Sequence, residues 1–212
     1  SFLCGIGAYE ILHFPQDARS LSLHNSASAY DHHVLRNNPA SLSLTTEKPV
    51  YSYLILPAGI HSVEIQRGQK YGSGIHVLKF SYINYAVILD SENNKKTTAY
   101  DILFEMGYKK KLINIASVGV SGGYLMSSIS DFSSHMLYAN IGIRSRIMKK
   151  RMGLGFSLEN VGIIISSYTD LKESIPSVFR SAIFYIPQYL PAIISLDIIH
   201  NLDRENAEFL GG

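Results

Sequence analysis

The chain has 212 residues, of which 46% are hydrophobic and only 17% are charged, against about 25% charged in ordinary soluble domains. No apolar run approaches the roughly 20 residues that a transmembrane helix needs, because charged residues or prolines interrupt every candidate, and a helical span is therefore excluded. The net charge of +2, without a basic stripe, gives no indication of nucleic-acid binding, and the single cysteine, Cys4, excludes a disulfide within this chain.

The first 49 residues differ from the rest of the chain. Residues 1–8 are apolar and small, which is typical either of the end of an export signal cleaved near Ala8 or of a first strand or buried N-terminal arm. Residues 9–49 are rich in Ser, Asn and His and show no strong alternation. We expect them to form a short helix or loops, periplasmic or lumenal, packed in or under the strands that follow.

From residue 50 onward the sequence predicts an all-β, antiparallel fold. Ile102, Phe104 and Met106, for example, alternate at the period of two that a strand requires with residues that are polar or small, except for the aliphatic Leu103. The predicted strands lie near residues 50–56, 60–67, 75–88, 99–108, 114–126, 135–146, 152–159, 177–186 and 192–200. Residues 206–212 resemble the beginning of a further strand, so we expect residues 50–212 to form a barrel that is incomplete at its C-terminal end.

The two faces of these strands favour a transmembrane β-barrel. One face is apolar, and the other carries Ser, Gly, Tyr, Asn and single charges instead of the dense Lys/Glu pattern of a solvated sheet. A soluble β-sandwich also alternates and remains the alternative fold. In the strand at 177–186, the pattern assigns Val178, Ala182 and Phe184 to the apolar face, with Arg180 among them.

The connections are predicted to alternate between long and short. Those at 90–98, 127–134 and 160–176 are predicted to be long, and those at 109–113, 147–151 and 187–191 short. Outer-membrane barrels have short periplasmic turns and longer outside loops. Counting back by parity, we expect the N-terminal segment on the periplasmic side.

Several motifs resemble the PorV/PorQ family of outer-membrane barrels, which is similar to the FadL fatty-acid transporters and includes members that act in type IX secretion. The motifs lie at residues 9–15, 17–21 and 38–42, with further likeness at 155–162 and 175–197. The resemblance implies a barrel of about fourteen strands with an N-terminal segment near the lumen. The signature residues, to which we assign structural roles, are Pro15, Asp17, Ala18, Arg19, Asn38, Pro39 and Ala40.

Charged residues on the polar face are the candidates for function. Opposite charges inside a barrel can pair across strands, and can thereby hold a segment or restrict a pore. Simple lumenal solvation and packing is the alternative. The candidates are Asp101, Glu105, Arg144, Arg146 and Asp197.

Motifs that suggest catalysis or metal binding are weaker. Residues 119–123 match G-x-S-x-G, but the alternation runs straight through them, whereas a nucleophile elbow needs a strand, a sharp turn and a helix. His32 and His33, next to Asp31, lack a further ligand at helical spacing. We therefore predict no catalytic residue, no metal and no cofactor.

Three functions are consistent with the sequence. The first is a non-enzymatic outer-membrane barrel of the PorV/PorQ type that serves as a component or adaptor of protein secretion, with secretion-system proteins or exported cargo as partners. The second is a FadL-like transporter of hydrophobic small molecules. The third is a soluble secreted β-sandwich that binds a ligand or protein. An apolar lumen would favour transport, whereas a polar, plugged lumen would favour the adaptor.

Overall fold

Short turns and one helix precede the strands in the computed structural model. It describes residues 9–12, 17–23, 25–31, 35, 37–44, 47–89, 96–147, 151–168, 175–202 and 207–211. Helix α1 spans Ala18–Ser22, and 3₁₀ turns lie at Glu10–Leu12, Pro39–Ser41 and Pro57–Gly59. Within these ranges no helix is long and apolar enough to cross a bilayer.

Ten strands make up most of the described chain. They are β1 (Val50–Leu56), β2 (Ile60–Tyr71), β3 (Gly74–Leu89), β4 (Lys96–Ile113), β5 (Ala116–Ile129), β6 (Phe132–Ile147), β7 (Met152–Ser166), β8 (Val178–Tyr185), β9 (Ile194–Asn201) and β10 (Ala207–Gly211). Each predicted strand is present, and β10 lies where the sequence predicted the beginning of another.

The strands form one antiparallel sheet in sequence order. Each strand pairs with the next along the chain, from β1 to β10. This is a meander, the connectivity of up-and-down barrels. The all-β, antiparallel class predicted from the sequence is therefore confirmed. In the described residues β1 and β10 are the edge strands of this sheet.

The two faces of the sheet have opposite polarities, and the polar face is the buried one. On β4, Asp101 and Glu105 are 4% and 5% exposed, whereas Phe104 and Met106, on the other side of the strand, are 44% and 57% exposed. The same alternation of buried and exposed positions follows β5, β6 and β9. We call the buried side the inner face and the apolar, exposed side the outer face.

The face assigned to β8 from the sequence is wrong. Arg180 is buried on the inner face together with Val178, Ala182 and Phe184, while Phe179 and Tyr185 are exposed on the outer face. Both faces of β8 carry large apolar side chains, so hydrophobicity could not distinguish them. The charge of Arg180 was the better guide, because it requires the polar side of the sheet.

The predicted alternation of long and short connections is also wrong. Only Ser130 and Asp131 separate β5 from β6, and β7 continues to Ser166. The serines at 127–134 indicated a loop, but all except Ser130 lie within strands: Ser127 donates to Asp101, and Ser134 donates to the Ser166 carbonyl at 2.8 Å. Small polar residues fit the inner face, so this composition does not mark a loop here.

Candidate functional site

A diagonal of glycines crosses the inner face beneath the N-terminal segment, by which we mean the described residues between 9 and 44. A Cβ atom at any of these glycines would lie 3.0 Å or less from an atom of the segment. Gly119 faces the main chain of Pro39, and Gly142 faces the side chain of Asn38. The set comprises Gly68 on β2, Gly107 on β4, Gly119 on β5, Gly142 on β6 and Gly155 on β7. The segment therefore lies directly on the main chain of the sheet.

Asn38 attaches the segment where the glycines make room for it. Its Oδ1 accepts the Ala40 N–H at 3.0 Å and caps the Pro39–Ser41 turn. Its side-chain amide donates to the carbonyls of Ile143 on β6 at 3.2 Å and Phe156 on β7 at 3.4 Å. One buried side chain thus fixes the turn and links it to two strands.

Side chains of the inner face bind the main chain of the segment. The Gln66 Oε1 accepts the Leu35 N–H at 2.5 Å, and Lys79 donates to the Leu35 carbonyl at 3.2 Å. Further bonds join Lys109 Nζ to the Leu42 carbonyl at 2.5 Å and Ser117 Oγ to the Ala40 carbonyl at 2.9 Å. These contacts recognise the polypeptide backbone and depend little on the side chains of the segment.

A buried ion cluster connects β7, β8 and β9 to the segment. Arg180, 1% exposed, donates to both carboxylate oxygens of Glu159 at 2.9 and 3.3 Å, and its Nη1 lies 3.5 Å from Asp197. The Asp197 carboxylate also accepts the N–H groups of Ala27 and Ser28 at 3.0 Å each. Because an unpaired buried charge costs several kcal/mol, the three charged groups stabilise one another.

Two other predicted charges are satisfied within the sheet itself. Asp101 accepts hydrogen bonds from Tyr85, at 2.6 Å, and from Ser127. Glu105 forms an ion pair with Lys79. These two carboxylates hold neighbouring strands together, and Lys79 extends the contact to the segment.

Positive charge is concentrated around Asp31 of the segment. Arg144 donates to Asp31 at 2.5 Å, and Arg146 pairs with the same carboxylate. Burial raises the pKa of the Asp31 carboxyl, but Arg144 and then Arg146 outweigh it, so that its pKa lies below the usual value. The Nε and Nη2 atoms of Arg144 have no hydrogen-bond partner among the described residues.

The predicted lumen-facing residues lie on the inner face, and three of them serve the segment. Arg144 and Arg146 bind Asp31, and Asp197 binds main-chain N–H groups, whereas Asp101 and Glu105 are paired inside the sheet. The residues that the sequence analysis did not single out are Gln66, Lys79, Lys109, Ser117, Glu159 and Arg180. All but Arg180 stand on the polar side of a predicted strand or at its end. The alternation of polar and apolar positions along each strand could therefore have identified them.

The signature residues that the structure describes lie at helix α1 and at the Pro39–Ser41 turn of the segment. Asp17 precedes α1, which contains Ala18 and Arg19, and its carboxylate accepts the Ser20 N–H at 3.0 Å. Pro39 and Ala40 lie in the turn on the sheet, and Pro15 lies outside the described residues.

The motifs that suggested other chemistry do not form such sites. The run from Gly119 to Gly123 lies within β5, without the turn and helix of a nucleophile elbow. His32 and His33 are outside the described residues. Within the described part of the chain no group of three metal-ligating side chains occurs.

A small cavity lies between the segment and the sheet. Its volume is about 30 Å³, enough for about one water molecule, and Asn37, Lys79, Glu105, Asn140 and Glu159 are among the residues that line it. A wider depression of about 630 Å³ lies on the opposite, outer side, where Leu78, Met106 and Val120 surround Gly122. The charged groups are on the inner face, so we place the candidate site there.

Comparison with known proteins gives no assignment: no protein-family model matches the chain, and no curated protein matches it.

Replacing a glycine of the diagonal by alanine is expected to displace the segment. In Gly119→Ala the new Cβ would meet the main chain of Pro39, which cannot move as a flexible side chain can, and overpacking of this kind costs about 1–3 kcal/mol. Gly122→Ala, on the same strand but facing outward, is the matched control, since its nearest neighbour is the Tyr138 carbonyl at 3.3 Å. Thermal unfolding followed by circular dichroism should show a lower midpoint for Gly119→Ala than for Gly122→Ala. Equal midpoints would contradict the close packing described here.

The Asp31 ion pairs predict a pH dependence of stability. Because the folded pKa of Asp31 is depressed, its contribution is present above about pH 4, the usual value for Asp, and is lost as the pH falls through the lower folded value. Asp31→Asn should therefore be less stable than the wild type at pH 7, and the difference should shrink below about pH 4. Unfolding midpoints of both proteins between pH 7 and 2 measure this effect. Asp131→Asn, at the exposed β5–β6 turn, should show no such difference, and a constant difference for Asp31→Asn at all pH values would refute the prediction.

Proposed function

We propose that the chain forms the wall of an outer-membrane β-barrel, with the outer face against lipid and the N-terminal segment inside. The observation that carries this proposal is the polarity of the sheet: charged side chains are buried on the inner face, and most of the large apolar side chains of the strands are exposed on the outer face. A smaller apolar group, which includes Leu103, Leu125 and Phe184, lies on the inner face. A soluble sandwich buries its apolar faces between two sheets, which is the opposite arrangement. A barrel wall in a bilayer shows apolar residues outward and polar residues inward.

Two aromatic rows on the outer face support the membrane proposal. One row, toward the start of β4, contains Tyr82 and Tyr100, with Tyr124 stacked on His135 nearby. The other, toward the end of β4, contains His76 and Tyr108, whose ring centroids are 4.7 Å apart. Such rows are typical of the two membrane interfaces of a barrel.

The length of β4 between the rows lies at the lower end of the range for a transmembrane strand, which is about 9–11 residues at a tilt of about 45°. Tyr100 and Tyr108 are eight positions apart on β4, which is about 26 Å along the strand and about 20 Å after a tilt of roughly 40°. On β3 to β6 the outward positions between the rows carry no Asp, Glu, Lys or Arg. Arg67 on β2 pairs in register with Leu78, close to the His76 row, and its long side chain can extend to the interface.

The membrane proposal requires further pairing of the two edge strands. Unpaired backbone groups at a sheet edge are not tolerated in lipid, so β1 and β10 would need partners when the protein is inserted. The resemblance to the PorV/PorQ family, with its barrels of about fourteen strands, is consistent with that requirement.

The filled, polar interior favours an adaptor over a transporter. A path for hydrophobic small molecules would need an apolar passage, whereas charged groups and the N-terminal segment occupy the inner face. We therefore propose a non-enzymatic component or adaptor of a protein secretion machinery of the type IX kind. Secretion-system proteins or exported cargo would be its partners.

A charge in the middle of the outer face is expected to be costly only in a membrane. Phe104→Lys, four positions from both Tyr100 and Tyr108 on β4, places an ammonium group midway between the aromatic rows, which costs about 2–4 kcal/mol at the bilayer midplane. Leu112→Lys, near the end of β4 and beyond Tyr108, is the matched control and should cost about 0–1 kcal/mol. Denaturant unfolding in lipid vesicles, followed by circular dichroism, measures the two costs. Equal costs, or a wild-type protein that stays monomeric in buffer without detergent, would contradict membrane insertion.

The secretion role is tested by purification of the full-length protein from detergent-solubilised outer membrane. We expect a large translocon or its exported cargo to copurify and to be identified by mass spectrometry. A barrel that is recovered alone with bound lipid would refute the adaptor role and favour the transporter. A tagged, unrelated outer-membrane barrel purified in parallel serves as the control for nonspecific recovery.

A further inference from the structure

We propose that the inner face is a binding groove for a polypeptide segment of largely irregular conformation, occupied in this chain by its own N-terminal segment. A segment of another protein, with small side chains and a carboxylate, can take the same place. This inference goes beyond the adaptor role proposed above, and it depends on the inner face alone.

The first support is the kind of contact. Gln66, Lys79, Lys109, Ser117 and Asp197 all bind N–H or carbonyl groups of the segment's main chain. Main-chain groups are present in every polypeptide. A groove built on such contacts accepts a different sequence if its side chains fit, as in other peptide-recognition modes that bind through the main chain.

The second support is the shape of the groove. The glycine diagonal lets a backbone approach the sheet closely, and several of the segment residues buried there are small: Ala27, Ser28, Ala29, Ala40 and Ser41 are each 4% exposed or less. Two leucines, Leu35 and Leu42, are buried as well, each 1% exposed. The groove thus favours a peptide with alanine, serine or glycine at the first set of positions and leucine at the second.

The third support is the charge of the groove. Lys109, Arg144 and Arg146 act together on the single carboxylate of Asp31, which leaves an excess of positive charge. Arg144 is 5% exposed and retains two nitrogen atoms without partners among the described residues. A partner peptide with an acidic side chain would supply acceptors to these atoms.

Covalent attachment explains why the segment, and not a free peptide, occupies the groove in the intact chain. A tethered segment acts at an effective concentration on the order of millimolar, so a free peptide at micromolar concentration does not displace it. Weakening the segment's own side-chain contacts while keeping the groove intact should allow exchange. Asp31 and Asn38 supply those contacts, and both belong to the segment.

The test measures binding of a fluorescein-labelled synthetic peptide with the sequence of residues 25–44 to the purified full-length protein, by fluorescence polarisation. The receptor is the double variant Asp31→Asn/Asn38→Ala, compared with the wild type. We expect the peptide to bind the double variant at least about tenfold more tightly than the wild type, since two anchoring contacts of the competing segment are lost. Circular dichroism of both proteins establishes that the sheet is folded. If the double variant does not fold, Asn38→Ala alone is used, with an expected gain of about threefold.

Two peptide controls separate specific occupancy from adsorption. A peptide N-methylated at Ala27, Ser28 and Leu35 loses the N–H groups that Asp197 and Gln66 accept, and should bind at least about tenfold more weakly. A peptide with Asp31→Asn should also bind more weakly and lose most of its salt dependence. Equal binding of the N-methylated and unmodified peptides, or no gain in the folded variant, would overturn the inference. Failure of the adaptor role would appear in the copurification experiment instead, because peptide binding is measured on the isolated protein.

Discussion

The burial of charge on one face of the sheet is the constraint on which the rest of the structure depends. Arg180, Glu159 and Asp197 are removed from water, and each would be strongly destabilising without the others. Such a face cannot pack against a second apolar layer, because its polar groups would be left unsatisfied. It can only be covered by something that offers hydrogen bonds in return. A polypeptide segment with little regular secondary structure offers these bonds, because many of its own N–H and carbonyl groups are free to pair.

The N-terminal segment and the sheet therefore depend on each other for their structure. Helix α1 has only five residues, too few for a stable helix in isolation, and the Pro39–Ser41 turn depends on the Asn38 cap. The sheet in turn would expose Lys109, Ser117 and Asp197 without the segment. Apolar contacts supplement the polar ones, since Tyr9 and Ile11 pack with Leu103 and Leu125. The segment is thus a structural core for a sheet whose apolar residues face outward.

Much of this arrangement could be predicted from the sequence, because a strand has a strict period of two. The alternation of Ile102, Phe104 and Met106 with neighbours that are polar or small, apart from Leu103, identified β4 and the face of each residue. It failed where both faces are apolar, as in β8, and where polar residues lie inside strands, as at Ser127 and Ser134. The partners of the buried charges could not be predicted at all. The bond from the Ala27 N–H to Asp197 joins residues 170 positions apart, and no local pattern encodes such a contact.

That same separation constrains the order of assembly. The Asp197 carboxylate lies on β9, so the segment, which is synthesised first, cannot complete its contacts until nearly the whole sheet exists. Tyr9 and Ser134, bonded at 2.6 Å across 125 positions, impose the same delay at the other end of the segment. The segment must therefore be in place as β6 and β9 form, and the part of the chain that precedes the sheet serves as a template for its strands.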